Sequence, residues 1–531
     1  MAITEKPEST LREDVVTASL EKVLARHGRV DLAPLPSDLP EDPLNWSSFR
    51  KNMLLALVAF HACLGPFSAA CVIPSFEDFV VDFGITLTEA SYLVSVPIVF
   101  LGTIPLLWAP VSKRIGRFPV SSFFHRLPSS PGRRPVYLVS MLLSSALQLA
   151  SAYCTTYGTL MTCRVLVSVF ICPPQSIGAS TVSEVFFVHQ KGQKMGIWAL
   201  LVSVGSTIAP LIMGPLVYHT GQWQWTFYFL AIINFAHFVL YIFFCPETLF
   251  DRPERSKIGS PAITMDEETN TGKWYTPYTS FRIHSTEPWI RLPLDVISPL
   301  RFLLKPTILL PGLAYAITFT YTNATLLGQK YLLNTQEVGL QFVAPFLGAL
   351  LGEPIAGYGS DRWMQYRVRK AGGEREPEWR LPFAIPGFLI AIVGLMIFGV
   401  QLQNTRSGVW NVTPDIGSGI ALFGLQLVTT VCTTYAIESQ PGHTGQAALM
   451  VAFIRQMYAF TGPFYFTLQF VSMGTVNACG LLSGLIAIGM CFVIICMIFG
   501  RSWRKGEEVT YDSGDRENTT AGILSDEKVK I

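Results

Sequence analysis

About a dozen apolar stretches of helix-spanning length, divided six and six by one polar loop, constrain this chain more than any motif in it. Before the loop they run roughly over Asn52–Ser75, Thr88–Val111, Val136–Tyr153, Gly158–Val182, Met195–Tyr218 and Trp225–Cys245. After it come Pro306–Leu332, Val338–Gly359, Leu381–Val400, Ile416–Ile437, Thr444–Val471 and Ala478–Phe499. A hydrocarbon layer of roughly 30 Å needs about 20 helical residues at about 1.5 Å each. A core helix of a soluble protein shows an apolar stripe and a polar face, and most of these stretches show neither. The expected fold class is an all-α membrane protein, with twelve transmembrane helices in two six-helix bundles.

Composition agrees. Half of the residues are hydrophobic and only 14% are charged, too few to cover a soluble surface for a chain this long. A net charge of +2 and the lack of a basic, aromatic-rich region exclude a nucleic-acid partner. The ten cysteines lie in or at the ends of apolar stretches without a C-x-x-C pair, so they read as small core residues. Nothing in the pattern calls for a metal or a cofactor. No nucleophile and base sit at matching depth, so an enzyme is not expected. The first fifty residues are polar and charged and form no signal peptide, which keeps the amino terminus in the cytosol.

Alternating from there, Lys113, Arg114, Arg117, Arg126, Arg133 and Arg134 fall on the cytosolic side after span two. Lys191 and Lys194 follow span four, and Arg362, Arg367, Arg369, Lys370, Arg375 and Arg380 follow span eight. The opposite loops are short and nearly free of Lys and Arg, which is the positive-inside pattern. Both termini are then cytosolic. The expected organisation is a tail over 1–51, a bundle over 52–245, a central cytosolic loop over 246–305, a second bundle over 306–499 and a tail over 500–531. The last tail and much of the central loop are polar enough to be expected without structure. Asn411-Val412-Thr413 is a glycosylation sequon on an external loop, followed by an unfavourable Pro414.

Ionisable groups inside a span cost about 2.5–3.5 kcal/mol each on insertion scales and face a cavity or a partner. Four stand out: His61 in span one, Arg164 in span four, Glu353 in span eight and Arg455 in span eleven. The arginines keep their charge and can anchor anions or hold a neighbouring acid. Glu353 precedes Asp361 by eight residues, which places it roughly 12 Å inward from the cytosolic edge. A carboxyl group at that depth can load and release a proton, or can simply partner a neighbouring helix. His61 has an ordinary pKa near neutrality, yet a hydrogen-bonded core histidine explains it equally. In span five Gly205, Ala209 and Gly214 allow close approach of another backbone, and Pro210 and Pro215 bend the helix. Cys172-Pro173-Pro174 interrupts span four in the same way. Tyr315, Tyr321, Asn323, Gln329 and Tyr435 could line a cavity of mixed polarity.

Over roughly residues 42–500 the chain resembles the major facilitator superfamily and, within it, the twelve-span fungal drug:proton antiporters. Asp42-Pro43-Leu44-Asn45-Trp46-Ser47 resembles the motif ahead of span one in fungal members. The stretch from Ala109 to Arg117, completed by Arg134-Pro135, is similar to the family's loop 2–3 motif. Arg164 matches the arginine of span four, and the Gly/Pro run of span five resembles the antiporter motif. Gly352-Glu353-Pro354, Gly357 and Asp361-Arg362 look like the second-half counterpart of the loop motif. The departures are Lys113 in place of an acid, Ser168 in place of a glycine, and Ala209 and Met213 in place of two glycines.

The resemblance implies the major facilitator fold, two pseudo-symmetric bundles with a cavity between them. It implies a plasma-membrane or vacuolar transporter that exports a small organic compound (drug, toxin or secondary metabolite) in exchange for protons. Its partners are then a small molecule, protons and the bilayer, and the chain is a monomer. Proton coupling and the cavity would rest on Arg164, Glu353, Arg455 and His61. The span-five motif would comprise Gly205, Pro210 and Gly214, and the cytosolic latches Gly116, Arg117, Arg134, Asp361 and Arg362. An importer or facilitator of a nutrient or organic acid, or a non-transporting membrane sensor, are the alternatives.

One segment breaks the pattern. Removing Phe118–Arg133 joins Arg117 to Arg134 and restores Gly-Arg-Arg-Pro-Val-Tyr, the form of the family motif. The segment holds three prolines and has no helical period. It reads as a retained intron or as a tolerated loop insertion. Mature message lacking these residues is the outcome expected of the first reading; uninterrupted reads across them would sink it.

Overall fold

The computed structural model of the protein describes residues 42–114, 133–248, 292–322, 333–372, 375–405, 411–440 and 443–527. Gly116, Arg117, Asn323, Gln329 and positions 118–132 of the interrupting segment lie outside the described residues. The first bundle contains α1 (Ser48–Ala70), a short α2 (Phe76–Phe83), α3 (Leu87–Arg114), α4 (Arg133–Ala152), α5 (Tyr157–Ile171), α6 (Pro173–Val185), α7 (Val188–Thr220) and α8 (Gln224–Phe244). The second follows a short α9 (Leu292–Ile297). It contains α10 (Pro306–Thr322), α11 (Thr335–Leu340), α12 (Val343–Lys370), α13 (Ala384–Asn404), α14 (Thr413–Glu438), α15 (Thr444–Met473) and α16 (Thr475–Glu527).

Among the described residues, ten helical stretches are long and apolar enough to cross a membrane. The seventh expected span comes as a pair, Leu292–Leu304 with Pro306–Thr320, bent by 84°. Span eleven, α15, is 30 residues long; Arg455 and Gln456 at its middle make it less apolar than the rest.

Several boundaries differ from expectation for identifiable reasons. Much of the central loop is expected without structure; its end, Leu292–Ile297 and Ser298–Leu304, forms a helix and a 3-10 turn. The eighth span continues past Gly359 to Lys370, its last turn carrying Arg367, Arg369 and Lys370. Cations there complement the negative end of the helix dipole. The last helix runs on to Glu527 instead of ending near Phe499.

Span four is two helices that meet at Cys172. Proline has no N–H, so Pro173 and Pro174 leave the carbonyls of Val169 and Phe170 without their helical donors. Side chains from neighbouring helices supply them: Trp108 Nε1 donates to Val169 O at 2.9 Å, and Ser140 Oγ donates to Phe170 O. In a medium without water an orphaned carbonyl costs several kcal/mol, so such pairings decide where a proline is tolerated.

Helices pack through small residues, as they must where lipid is as apolar as leucine. A Cβ on Gly394 of α13 would come within 2.3 Å of Ala421 N, and one on Gly424 of α14 within 2.4 Å of Ala391 N. The two bundles touch in the same way. A Cβ on Gly102 of α3 would meet Gln456 of α15 at 2.6 Å, and one on Gly214 of α7 would meet the Gly339 Cα of α11 at 2.8 Å.

Gly394→Leu and Gly424→Val should therefore lower the unfolding midpoint in detergent, at a cost of about 3 kcal/mol each for overpacking. Gly357→Ala, inside α12 with a Cβ that would meet nothing within 4 Å, should keep it or raise it slightly, since alanine is the better helix former.

Candidate functional site

A cavity of about 340 Å³ lies between the two bundles. Ser91 of α3 and Ser206 of α7 line it from the first half; Tyr315, Phe319, Gln426 and Arg455 line it from the second. Tyr315 and Phe319 are four residues apart, one turn on the same face of α10. Leu422, Gln426 and Thr429, four and then three residues apart, likewise share a face of α14 toward the cavity. Volume and composition suit a small organic molecule, with apolar walls and a few polar groups to orient it.

Arg455 is the buried formal charge in this wall, 9% exposed. Its Nη1 donates to Tyr315 Oη at 3.1 Å. The guanidinium lies 4.8 Å from the Phe319 ring centre and 5.6 Å from that of Tyr315, within the range of cation–π attraction. Its Nε has no hydrogen-bond partner among the described residues. Glu77 also reaches the cavity but is exposed.

The other three ionisable candidates lie away from the cavity lining. Arg164 is 2% exposed and is satisfied by carbonyl oxygens. Its Nη2 donates to Ala69 O at 2.9 Å and Leu93 O at 3.0 Å, and its Nη1 donates to Ser68 O. Ser68 and Ala69 end α1, where carbonyls lack helical donors and the dipole is negative. The Leu93 carbonyl is freed by Pro97, four residues on. Arg164 thus ties span four to the end of span one and the kink of span two.

His61 is fully buried in the first bundle. Its Nδ1 lies 3.0 Å from Tyr241 Oη and its Nε2 lies 3.2 Å from Ser140 Oγ. The Ser140 hydroxyl proton goes to Phe170 O, so the network assigns the imidazole proton to Nε2, with Tyr241 donating to Nδ1. Glu353 is 7% exposed, between α12 and α14. Thr430 is its polar neighbour, but Oε2 accepts no hydrogen bond among the described residues. Gln426, one turn before Thr430 on the same helix, lines the cavity, so Glu353 lies a layer behind the wall.

The span-five residues split between two contacts. A Cβ on Gly205 would come within 2.5 Å of Cys63 O in α1, whereas Gly214 and the Pro210 carbonyl abut Gly339 of the other half. At the basic end the latches are asymmetric in detail. Asp361 accepts from Arg380 Nη1 at 2.7 Å, and Arg380 Nη2 donates to Glu438 at 3.1 Å. Arg362 instead stacks 4.9 Å over Tyr358. In the first half Arg134 Nη2 donates to Ile242 O at 2.9 Å. Its neighbour Arg133 pairs with Glu184 and donates from Nη1 to Thr181 at 3.1 Å. The Glu247 carboxylate accepts the backbone N–H groups of Arg133 at 3.0 Å and of Arg134 at 3.2 Å, capping the start of α4. Asn411 Oδ1 accepts from Thr413 Oγ1 at 2.7 Å ahead of α14.

Sequence reasoning did not single out Arg380, Glu438, Arg133, Glu184 or Gly339 as a linked set, because their pairing is a property of the packed bundle. It also passed over Asp415, 5% exposed in the first turn of α14, whose Oδ1 has no hydrogen-bond partner among the described residues. Arg380→Ala strips a buried fork from two carboxylates and should cost about 2 kcal/mol, less than a fully buried pair because Asp361 is exposed. Arg380→Lys should recover only part of this, since an ammonium cannot fork; unfolding midpoints of the three proteins check it.

Residues 58–463 match the sequence model of the Major Facilitator Superfamily. An uncharacterized MFS-type transporter of Schizosaccharomyces pombe is 25% identical over 92% of this chain and 89% of its own. The MFS-type transporter penM of Penicillium rubens is 26% identical over 88% of each chain. The cycloheximide resistance protein of Candida maltosa is 25% identical over 73% of this chain and 67% of its own. Among solved structures, the partially occluded inward open xylose transporter XylE from E. coli superposes with a TM-score of 0.58 at 11% identity, over 84% of this chain and 97% of that one. The chain belongs to the Major Facilitator Superfamily, a family of membrane transporters.

Proposed function

We propose that the protein is a proton-coupled exporter of a small organic compound, working by alternating access with both termini cytosolic. The observation that carries this reading is the cavity shared by the two bundles. The bundles meet beside it at α3 with α15 and at α7 with α11 and α12. Close contacts built on glycine, as at Gly102 and Gly214, suit surfaces that part and close again. Relatives named for cycloheximide resistance and as a probable efflux pump support the outward direction. The plasma membrane is the proposed site, with Asn411 on an outer loop open to glycosylation.

Glu353 is the proposed proton carrier. It is buried, unpaired at Oε2 and one helix layer from the cavity, so a change in its charge state acts directly on the α12–α14 packing that shapes the wall. Arg164, fully held by carbonyls, positions the ends of spans one and two and takes no proton itself. His61 holds the first bundle together.

Purified protein in vesicles, given an imposed pH gradient, should move an organic probe against its gradient and reverse when the pH gradient is reversed. Glu353→Gln should abolish this coupling while the protein stays folded in the vesicle. Full proton-coupled movement in Glu353→Gln removes Glu353 from the mechanism, and probe flux indifferent to pH in the native protein removes proton coupling altogether.

A further inference from the structure

We infer that the substrate is an amphipathic organic anion, whose carboxylate or similar acidic group is received by Arg455 and whose apolar body rests on Tyr315 and Phe319. This deepens the export reading and rests on the same cavity.

Arg455 sits on α15 in mid-membrane with its guanidinium facing the cavity. Burying a cation without a counter-ion is costly, and proteins keep such a charge where it is paired or used. No carboxylate among the described residues pairs with it. Its protein partners are one phenol oxygen, at 3.1 Å from Nη1, and two aromatic faces. These stabilise the guanidinium without neutralising it, and Nε is left with no acceptor. Arg164 shows the contrast: it is buried more deeply still, and carbonyl oxygens from two helices meet all three of its nitrogens.

The rest of the lining sets the sign. Its buried polar members, such as Thr207, Gln426 and Gln456, are neutral. Its one carboxylate, Glu77, is exposed and so screened by solvent. Glu353 lies outside the lining. An entering anion therefore meets one buried, unneutralised positive charge, with planar donors suited to a carboxylate fork. An entering cation meets repulsion from the same group. Apolar and aromatic surface on Tyr315, Phe319, Leu422 and Phe466 supplies the burial that a small inorganic anion could not use.

Binding of three shape-matched probes, naphthoate, naphthamide and naphthylmethylammonium, to the full-length protein in lipid nanodiscs tests this by calorimetry. The native protein should bind naphthoate about ten-fold or more tighter than the amide, as expected of a charge-assisted pair, and the ammonium most weakly. Arg455→Gln should erase the preference for naphthoate while naphthamide still binds. Arg455→Lys should keep the order with a smaller gap, and size-exclusion profiles of both variants report whether they are folded. An equal or reversed order in the native protein overturns the assignment, as does a preference that survives in folded Arg455→Gln or the binding of none of the three. Neither direction nor proton coupling enters this measurement. Anion selectivity can therefore fail while pH-driven export stands, and the reverse.

Discussion

A backbone carbonyl inside a bilayer has no water to turn to, and the arrangement of the first bundle follows from where proline creates such carbonyls. Pro97, Pro173 and Pro174 free those of Leu93, Val169 and Phe170. Arg164, Trp108 and Ser140 answer them from neighbouring helices. Each answer joins two spans, so the kinks that shape the helices are also what fasten them together. Ser140 in turn fixes the hydrogen bonding of His61, and Arg164 closes the open end of α1. Hydrophobic burial drives the chain into the membrane; these pairings select one arrangement once it is there.

Charge is distributed by the same logic. At the basic end the arginines have carboxylates within reach: Arg133 with Glu184, Arg380 with Asp361 and Glu438, Arg504 with Glu378. Arg133–Glu184 and Arg380–Glu438 sit at matching places in the two bundles, the start of span three or nine held to the end of span four or ten. Deeper in, one arginine is met by carbonyls and another faces a cavity with mainly aromatic company. The depth of a charge in the sequence says little about its use; the difference lies in which acceptors the packed helices bring to it.

Much of this was legible in the chain itself. Apolar length gave the spans, the Lys and Arg bias gave the shared end of the basic loops, and the intramembrane charges pointed to His61, Arg164, Glu353 and Arg455. Only Arg455 among them lines the cavity, because a helical position fixes depth but not azimuth until neighbouring helices are placed. Cys172-Pro173-Pro174 announced the break in α5–α6, whereas its partners Trp108 and Ser140, on other spans, carried no local signal. Gly214 was readable as a close-approach site, but its partner Gly339 was not, since the contact joins segments far apart in sequence. The polar stretch beyond Phe499 was expected without structure, yet low hydropathy also suits a helix outside the lipid.

The ion pair at the start of α4 bears on the interrupted motif. Arg133, the last residue of the interrupting segment, has its guanidinium held by Glu184 and Thr181, and the N–H that follows belongs to Arg134. If residues 118–133 are absent from the mature chain, the residue preceding Arg134 becomes Arg117, another arginine. The position ahead of Arg134, whose side chain pairs with Glu184 here, then carries an arginine in either version of the polypeptide. Splicing would then change the length of the connection while keeping an arginine ahead of Arg134.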